Sequence, residues 1–119
     1  LPAAIGGAVA RKDLPTVAIA GDYGFQYTLP ELGVAVELGL SLPILLWDNT
    51  KLKAIEDSMV AAQIAPNAVQ ALNPDFCAVA IAYGAAACRP QTLTELQSAL
   101  IKAFEEPRPT VIHMTAELG

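Results

Sequence analysis

Two oxygen-bearing side chains, Asp22 and Asn49, stand just past the ends of two apolar runs in the sequence, residues 16–20 and 42–47. They are separated by about one βαβ unit, roughly 30 residues. A parallel crossover returns the second strand in the direction of the first, so both side chains reach the carboxyl edge of the sheet, where ligands of open α/β sheets bind. Mg²⁺ prefers oxygen ligands and shares them between protein, water and phosphate. The spacing therefore predicts a site for a metal-bound diphosphate.

Gly21 and Gly24 flank Asp22 and strengthen this interpretation. Glycine lets backbone N–H groups approach an anion closely, and the N-terminus of a following helix adds a favourable dipole. The same four residues, 21–24, also suit an ordinary strand-to-helix turn in which Asp22 is only a turn or cap residue. On residue types alone both interpretations stand.

The elements that must position these side chains alternate between apolar runs and helical patterns along the whole chain. Strands are predicted at 16–20, 42–47, 86–88 and 110–114, and helices at 2–11, 28–38, 73–83 and 92–106, with a loop passing into a helix over 51–63 and an irregular segment over 64–73. Thr28 to Glu31 and Thr92 to Glu95 each form a capping-box pattern. The pattern predicts an α/β fold, with a mostly parallel sheet in a three-layer α/β/α arrangement.

Composition narrows the class of protein. The 119 residues fit one domain, and the net charge of −5 argues against a nucleic-acid binder driven by charge. No apolar stretch is long and uninterrupted enough for a membrane span. Cys77 and Cys88 have no metal-ligand or redox spacing, which favours inert thiols in a reducing cytoplasm. With 54% apolar and only 16% charged residues, part of the apolar surface is expected to meet a partner.

Four short segments resemble the cofactor-binding domain of thiamine-diphosphate-dependent enzymes, a family that includes acetolactate synthase, pyruvate decarboxylase and benzoylformate decarboxylase. They are Leu-Pro-Ala-Ala-Ile-Gly-Gly-Ala at 1–8, Gly-Asp-Tyr-Gly-Phe-Gln at 21–26, Glu-Leu at 31–32 and Asp-Asn at 48–49. The family's motif opens with Gly-Asp-Gly at a strand end and closes with Asn one βαβ unit later. The resemblance covers nearly all of the chain.

The resemblance implies a set of ligands for the cofactor and its metal. Asp22 and Asn49 would bind Mg²⁺ through their side chains, and Lys51 would bind it through its backbone carbonyl. Thiamine diphosphate would supply phosphate oxygens, and backbone N–H groups at Gly21, Tyr23 and Gly24 would surround the diphosphate.

Tyr23 is a departure, because the family usually has glycine at this position. It keeps the amide donor and adds a ring beside the phosphates.

The family's substrate pocket is lined partly by residues shortly after the metal-binding Asn, which makes Ile55, Glu56 and Met59 candidates here. The acids Glu56 and Asp57 would suit a cationic tail, such as that of a guanidino-oxo acid, because an opposed charge in a partly buried pocket discriminates strongly. The alternative is a solvated acidic helix face.

His113 has no second ligand at metal spacing and is predicted to be structural, and Trp47 is predicted to pack in the core.

The resemblance also implies what lies outside these residues. In the family the catalytic Glu belongs to a pyrimidine-binding domain, usually of the neighbouring subunit. Residues 1–119 are therefore expected to be a single C-terminal domain of a larger homodimeric or homotetrameric enzyme, inactive alone. The segment 73–84 resembles the benzoylformate decarboxylase type, which favours a decarboxylase (a carboxy-lyase) acting on a 2-oxo acid. The alternatives are an acetolactate synthase-like carboligase and a non-catalytic α/β module that lost its cofactor.

Overall fold

A computed structural model describes residues 1–119. Four strands form one parallel sheet in the order β1-β2-β4-β3. Their bounds are Ala18–Gly21 for β1, Pro43–Asp48 for β2, Ala86–Cys88 for β3 and Thr110–Thr115 for β4. All four lie at the predicted places, and the α/β fold with a parallel sheet is confirmed.

Six helices connect and cover the strands: α1 (Pro2–Ala10), α2 (Asp22–Tyr27), α3 (Glu31–Glu37), α4 (Lys53–Ala61), α5 (Phe76–Ala82) and α6 (Leu93–Glu105). None of them is long and apolar enough to cross a bilayer. Glycines mark two of the helix ends, since Gly39 after α3 and Gly84 after α5 have φ angles of +61° and +88°. Such left-handed backbone is readily adopted by glycine and typically ends a helix.

One of the two capping-box predictions is wrong. Thr92 does cap α6, because its side chain accepts a hydrogen bond from the Glu95 N–H. Thr28 caps nothing: it lies at the end of α2, its hydroxyl donates to the Gly24 carbonyl, and α3 begins after Pro30 with no side-chain cap. The sequence pattern did not predict α2, whose last residues directly precede Thr28.

The main core lies on one face of the sheet, under α1, α2, α3 and α5. Twelve buried residues form it: Ile5, Ala18, Phe25, Leu32, Ala35, Leu42, Ile44, Leu46, Phe76, Ala80, Ala85 and Val111. The edges of the Phe25 and Phe76 rings meet at a centroid distance of 6.0 Å. This contact joins α2, which packs on β1 and β2, to α5, which packs on β3 and β4.

The opposite face is covered only in part. Helix α6 packs there through Ala103 against Ile112 and Met114, and its contacts are with β2 and β4. Over β1 the face is open, and the Ile19 side chain is 79% exposed. Trp47 is 41% exposed and lines a cleft, so the prediction that it packs in the core is wrong.

Candidate metal and diphosphate site

The pairing of β1 with β2 brings the two predicted metal ligands to the same edge. Gly21 is aligned with Trp47 in this parallel pair, so the next residues of both strands emerge side by side. Asp22 and Asn49 line one cleft of about 410 Å³ together with Lys51. The structure thus brings the three candidate ligands together, and their binding of a metal stays a prediction.

Asp22 is held tightly at the base of this cleft, with only 3% of its surface exposed. Its Oδ1 accepts a hydrogen bond from the Tyr23 N–H at 2.9 Å, and its Oδ2 accepts one from Asn73 Nδ2 at 2.7 Å. An ionised carboxylate has about four lone-pair positions. Two hydrogen bonds therefore leave acceptor capacity on both oxygens.

Asn49 lies in a tight turn that ends β2. Thr50 has a φ angle of +58°, and its N–H donates to Asp48 Oδ1 at 3.0 Å. The Lys51 N–H donates to Asn49 Oδ1 at 3.3 Å. This turn places Lys51 beside Asn49 at the cleft.

A second segment of chain lies antiparallel to this turn and fixes it from outside. Lys51 pairs with Gln70 in an antiparallel bridge. Two backbone hydrogen bonds flank it, each 2.8 Å long: the Leu52 N–H donates to the Val69 carbonyl, and the Ala71 N–H donates to the Thr50 carbonyl.

The Tyr23 hydroxyl donates to the Gln70 carbonyl at 3.3 Å. The Tyr23 ring therefore extends toward this pairing.

The structure shows the surroundings of two predicted diphosphate-binding residues, Tyr23 and Gly24. The Tyr23 N–H, expected to donate to phosphate, donates to Asp22. At Gly24 an added Cβ would meet no atom within 4 Å, so nothing in the protein itself requires glycine there. The open space at Gly24 belongs to the wall of the cleft and lets an anion approach the backbone closely.

A hydrogen-bonded group of residues that sequence reasoning did not assign to the site lies directly behind it: Asn73, Asp48, His113 and Arg89. Asn73 Nδ2 donates to Asp48 Oδ1 at 2.8 Å as well as to Asp22. His113 is 4% exposed, and its Nε2 lies 2.9 Å from Asp48 Oδ2. Since Arg89 Nε donates to His113 Nδ1 at 3.1 Å, the ring hydrogen lies on Nε2 and points at Asp48. The structural role predicted for His113 agrees with this arrangement.

The surroundings of Asp48 lower the pKa of its side chain. Burial raises the pKa of Asp48, but hydrogen bonds from His113, Asn73 and the Thr50 N–H together outweigh burial, and the pKa lies below its ordinary value. Asp48 is therefore held as a carboxylate under the site. The polar cluster Asn73-Pro74-Asp75 after an irregular segment was the one sequence signal for this network.

The predicted pocket residues do not lie together. Ile55 is 50% exposed and lines the cleft beside Asp22. Glu56 faces another depression, formed with residues 66–70, and pairs with Lys51 Nζ at 3.0 Å. Met59 is half-buried and outside the cleft. Asp57 forms an ion pair with Lys53 on the exposed side of α4.

Both cysteines are half-buried free thiols. Burial raises the pKa of Cys77 and of Cys88 above the ordinary value for a thiol. Since the thiolate is the reactive form, the structure agrees with the prediction that they are inert.

The comparison with known families agrees with this fold. Residues 1–114 match the family described as "Thiamine pyrophosphate enzyme, C-terminal TPP binding domain". The chain belongs to this family, as the resemblance at Gly21–Gly24 and Asp48-Asn49 implied.

Individual relatives point to two related activities. The chain is 40% identical over 115 residues to a protein of Pseudomonas aeruginosa named as a probable 2-ketoarginine decarboxylase, and this match covers 96% of the chain. It is 29% identical over 119 residues to the large subunit of acetolactate synthase isozyme 2 of Escherichia coli, covering 98% of the chain. The matches cover 21% and 22% of those relatives, so the chain spans about a fifth of their length.

Two solved structures have the same fold. One is a 4-hydroxybenzoylformate decarboxylase of Rhodococcus jostii, with a TM-score of 0.90 and 22% identity over all of this chain and 23% of that chain. The other is a benzoylformate decarboxylase of Polynucleobacter necessarius, with a TM-score of 0.84 and 24% identity over 94% of this chain and 21% of that chain. At this identity the likeness establishes the fold alone.

Proposed function

We propose that this domain binds the diphosphate of thiamine diphosphate through Mg²⁺ held by the side chains of Asp22 and Asn49 and by the backbone carbonyl of Lys51. The observation that carries the proposal is that all three residues, from the ends of adjacent parallel strands, line one cleft. One carboxylate and two neutral oxygens suit a hard cation that keeps its remaining positions for water and phosphate. No three side chains of His, Cys, Asp and Glu are grouped for a metal, so this mixed oxygen set is the candidate.

The donor set fits the group that the family implies. Asp22 supplies a negative charge and has unused lone pairs, and the open space at Gly24 admits a phosphate to the backbone. When bound, thiamine diphosphate supplies the electron sink that stabilises the carbanion left by loss of CO₂. The task of these residues is to orient the diphosphate and neutralise its charge.

For the complete protein we propose decarboxylation of a 2-oxo acid. The 40% identity to the probable 2-ketoarginine decarboxylase supports this activity and a substrate with a cationic tail. Within the domain, Glu56 and Asp57 already pair with Lys51 and Lys53. A cationic tail would have to displace a lysine to reach either acid, and Ile55 is the candidate that lines the cleft.

A carboligase is the second candidate, favoured by the acetolactate synthase relatives at 29–30% identity. Product analysis of the full-length protein separates the two activities. With a guanidino-2-oxo acid, benzoylformate and pyruvate offered separately, we expect an aldehyde from the first. Formation of acetolactate from pyruvate, with no aldehyde from the other acids, would replace the decarboxylase assignment.

We further propose that residues 1–119 form one domain of a longer enzyme and are inactive alone. The partner would be the pyrimidine-binding domain of a neighbouring subunit in a homodimer or homotetramer, and the setting would be cytoplasmic. The uncovered face over β1, with Ile19 exposed, supports a further domain packing against this one.

The first prediction concerns Asp22. In the full-length protein, Asp22→Ala should abolish Mg²⁺-dependent binding of thiamine diphosphate, because it removes the only carboxylate of the proposed ligand set. Titration calorimetry with and without Mg²⁺ measures this. Asp57→Ala, which removes a carboxylate on the exposed side of α4, is the matched control and should bind as the wild type does.

Metal-dependent binding by Asp22→Ala at wild-type affinity would remove Asp22 from the site. Absence of metal-dependent binding by the wild type itself would favour the non-catalytic module.

A further inference from the structure

Asn73 connects the candidate metal ligand to the buried network behind it. Its Nδ2 lies 2.7 Å from Asp22 Oδ2 and 2.8 Å from Asp48 Oδ1, so both amide hydrogens are donated to carboxylates. Hydrogen bonds to ionised acceptors are stronger and shorter than neutral ones. One side chain therefore fixes the separation of two carboxylates that would otherwise repel each other.

The Asn73 amide is itself fixed from the other side. Gln26 Nε2 donates to Asn73 Oδ1 at 3.0 Å, which leaves the nitrogen of the amide for the carboxylates. Rotating the amide by half a turn would place its oxygen against two carboxylates and its NH₂ group against the NH₂ group of Gln26. The orientation of Asn73 is thus set by three hydrogen bonds at once.

The backbone around Asn73 is anchored as well. Pro74 follows directly and restricts the conformation of Asn73, and Asp75 caps α5 by accepting from the N–H groups of Cys77 and Ala78. The next residue, Phe76, is fully buried in the main core. The amide therefore extends toward Asp22 from a rigid base.

We propose that Asn73 is a positioning residue for the metal site, which holds the Asp22 carboxylate in the rotamer that Mg²⁺ requires. The inference rests on the proposed function. Mg²⁺ requires near-ideal octahedral geometry, whereas Ca²⁺ accepts flexible and larger coordination shells. Outer partners of metal ligands commonly contribute 10- to 100-fold in affinity. A fixed Asp22 therefore favours Mg²⁺ over Ca²⁺.

The experiment measures both metals. In the full-length protein, with thiamine diphosphate present in excess, Mg²⁺ and Ca²⁺ affinities are determined by titration calorimetry for the wild type, Asn73→Ala and Asn67→Ala. Asn67 lies on the same segment, is exposed and has no side-chain hydrogen bond, which makes it the matched control. We expect Asn73→Ala to weaken Mg²⁺ binding about tenfold or more and Ca²⁺ binding much less, while Asn67→Ala changes neither.

The outcomes separate the inference from the function on which it rests. Equal losses for the two metals, or wild-type affinity in Asn73→Ala, would overturn the positioning role while leaving the site in place. Failure of the wild type to bind either metal would instead reject the proposed function.

If Asn73→Ala does not fold, Gln26→Ala releases the same amide from behind. It should give a smaller loss with the same bias against Mg²⁺, and no bias would overturn the inference.

Discussion

Asp48 shows how a single residue shapes the site without facing it. It is a buried carboxylate with hydrogen bonds from Asn73, His113 and the Thr50 N–H, an environment made only of donors. A buried charge with several donors stabilises the fold, and the same charge without them is costly. The hydrogen-bond network beneath the turn at residues 48–51 therefore requires that both carboxylate oxygens of Asp48 accept hydrogen bonds.

Asp48→Asn is expected to destabilise the fold at neutral pH by about 1–3 kcal/mol, because its NH₂ group must face a donor. The folded pKa of Asp48 is lowered from 3.8, so its stabilising contribution is complete above the unfolded pKa and is lost as the pH falls through the folded value. The stability difference between variant and wild type should therefore shrink below about pH 4. Urea unfolding of the 119-residue chain at several pH values measures it.

The groups that face Asp48 are His113 and, through Asn73, the carboxylate of Asp22. A stability difference that stays constant from pH 7 to pH 3 would show that the charge of Asp48 is not responsible. Thr50→Gly, which keeps the turn and its N–H, serves as a control for changes in the turn itself.

Sequence reasoning identified Asp22 and Asn49 as candidates because each lies just past the end of an apolar run, which is a local signal. It could not reach the role of Asn73, whose partners Asp22 and Asp48 lie 51 and 25 residues away in sequence. Such contacts are set by how α5 packs on the sheet. The same limit applies to Trp47, whose exposure depends on which elements cover the end of β2 in the fold.

At the scale of elements, the two capping patterns show what a local rule can and cannot predict. Residues 28–31 and 92–95 have nearly the same sequence, yet only Thr92 caps a helix. The difference is that α2 occupies residues 22–27 and places Thr28 at its C-terminal end. Gly24 within α2 makes that helix weak by propensity, so only its packing through Phe25 reveals it.

Thr92→Ala should therefore destabilise the first turn of α6 by about 1 kcal/mol, and Thr28→Ala should cost clearly less. Native-state hydrogen exchange of the full-length protein measures this locally, with an expected increase of roughly fivefold in exchange near residues 93–96. Thr94→Ala is the matched control, because the Thr94 side chain has no hydrogen bond. Equal effects of Thr28→Ala and Thr92→Ala on their neighbouring helices would contradict the assignment of the caps.

At the scale of the whole molecule, the sheet is covered unequally. Parallel sheets are normally buried on both faces, yet α6 packs mainly on β2 and β4, and Ile19 on β1 remains exposed. Part of the high apolar content of the sequence therefore lies on this exposed face of the sheet. The proposal of a larger enzyme implies that this face is covered from outside residues 1–119.

Ile19→Gln tests this expectation in two contexts. In the isolated chain it should leave the unfolding free energy within about 0.5 kcal/mol, as for other exposed positions. In the full-length protein it should lower the thermal stability, because a buried polar group without a partner is costly. Thermal unfolding of both forms provides the comparison, and an equally small effect in both would mean that β1 stays uncovered.

The pairing of Lys51 with Gln70 also constrains the segment that follows the candidate metal site. The pairing brings together the two ends of the segment 53–68, which includes α4 with Ile55. Closing a loop lowers the entropy that its residues retain. The wall of the cleft that contains Ile55 is therefore held at its base, next to Asn49, before any ligand arrives.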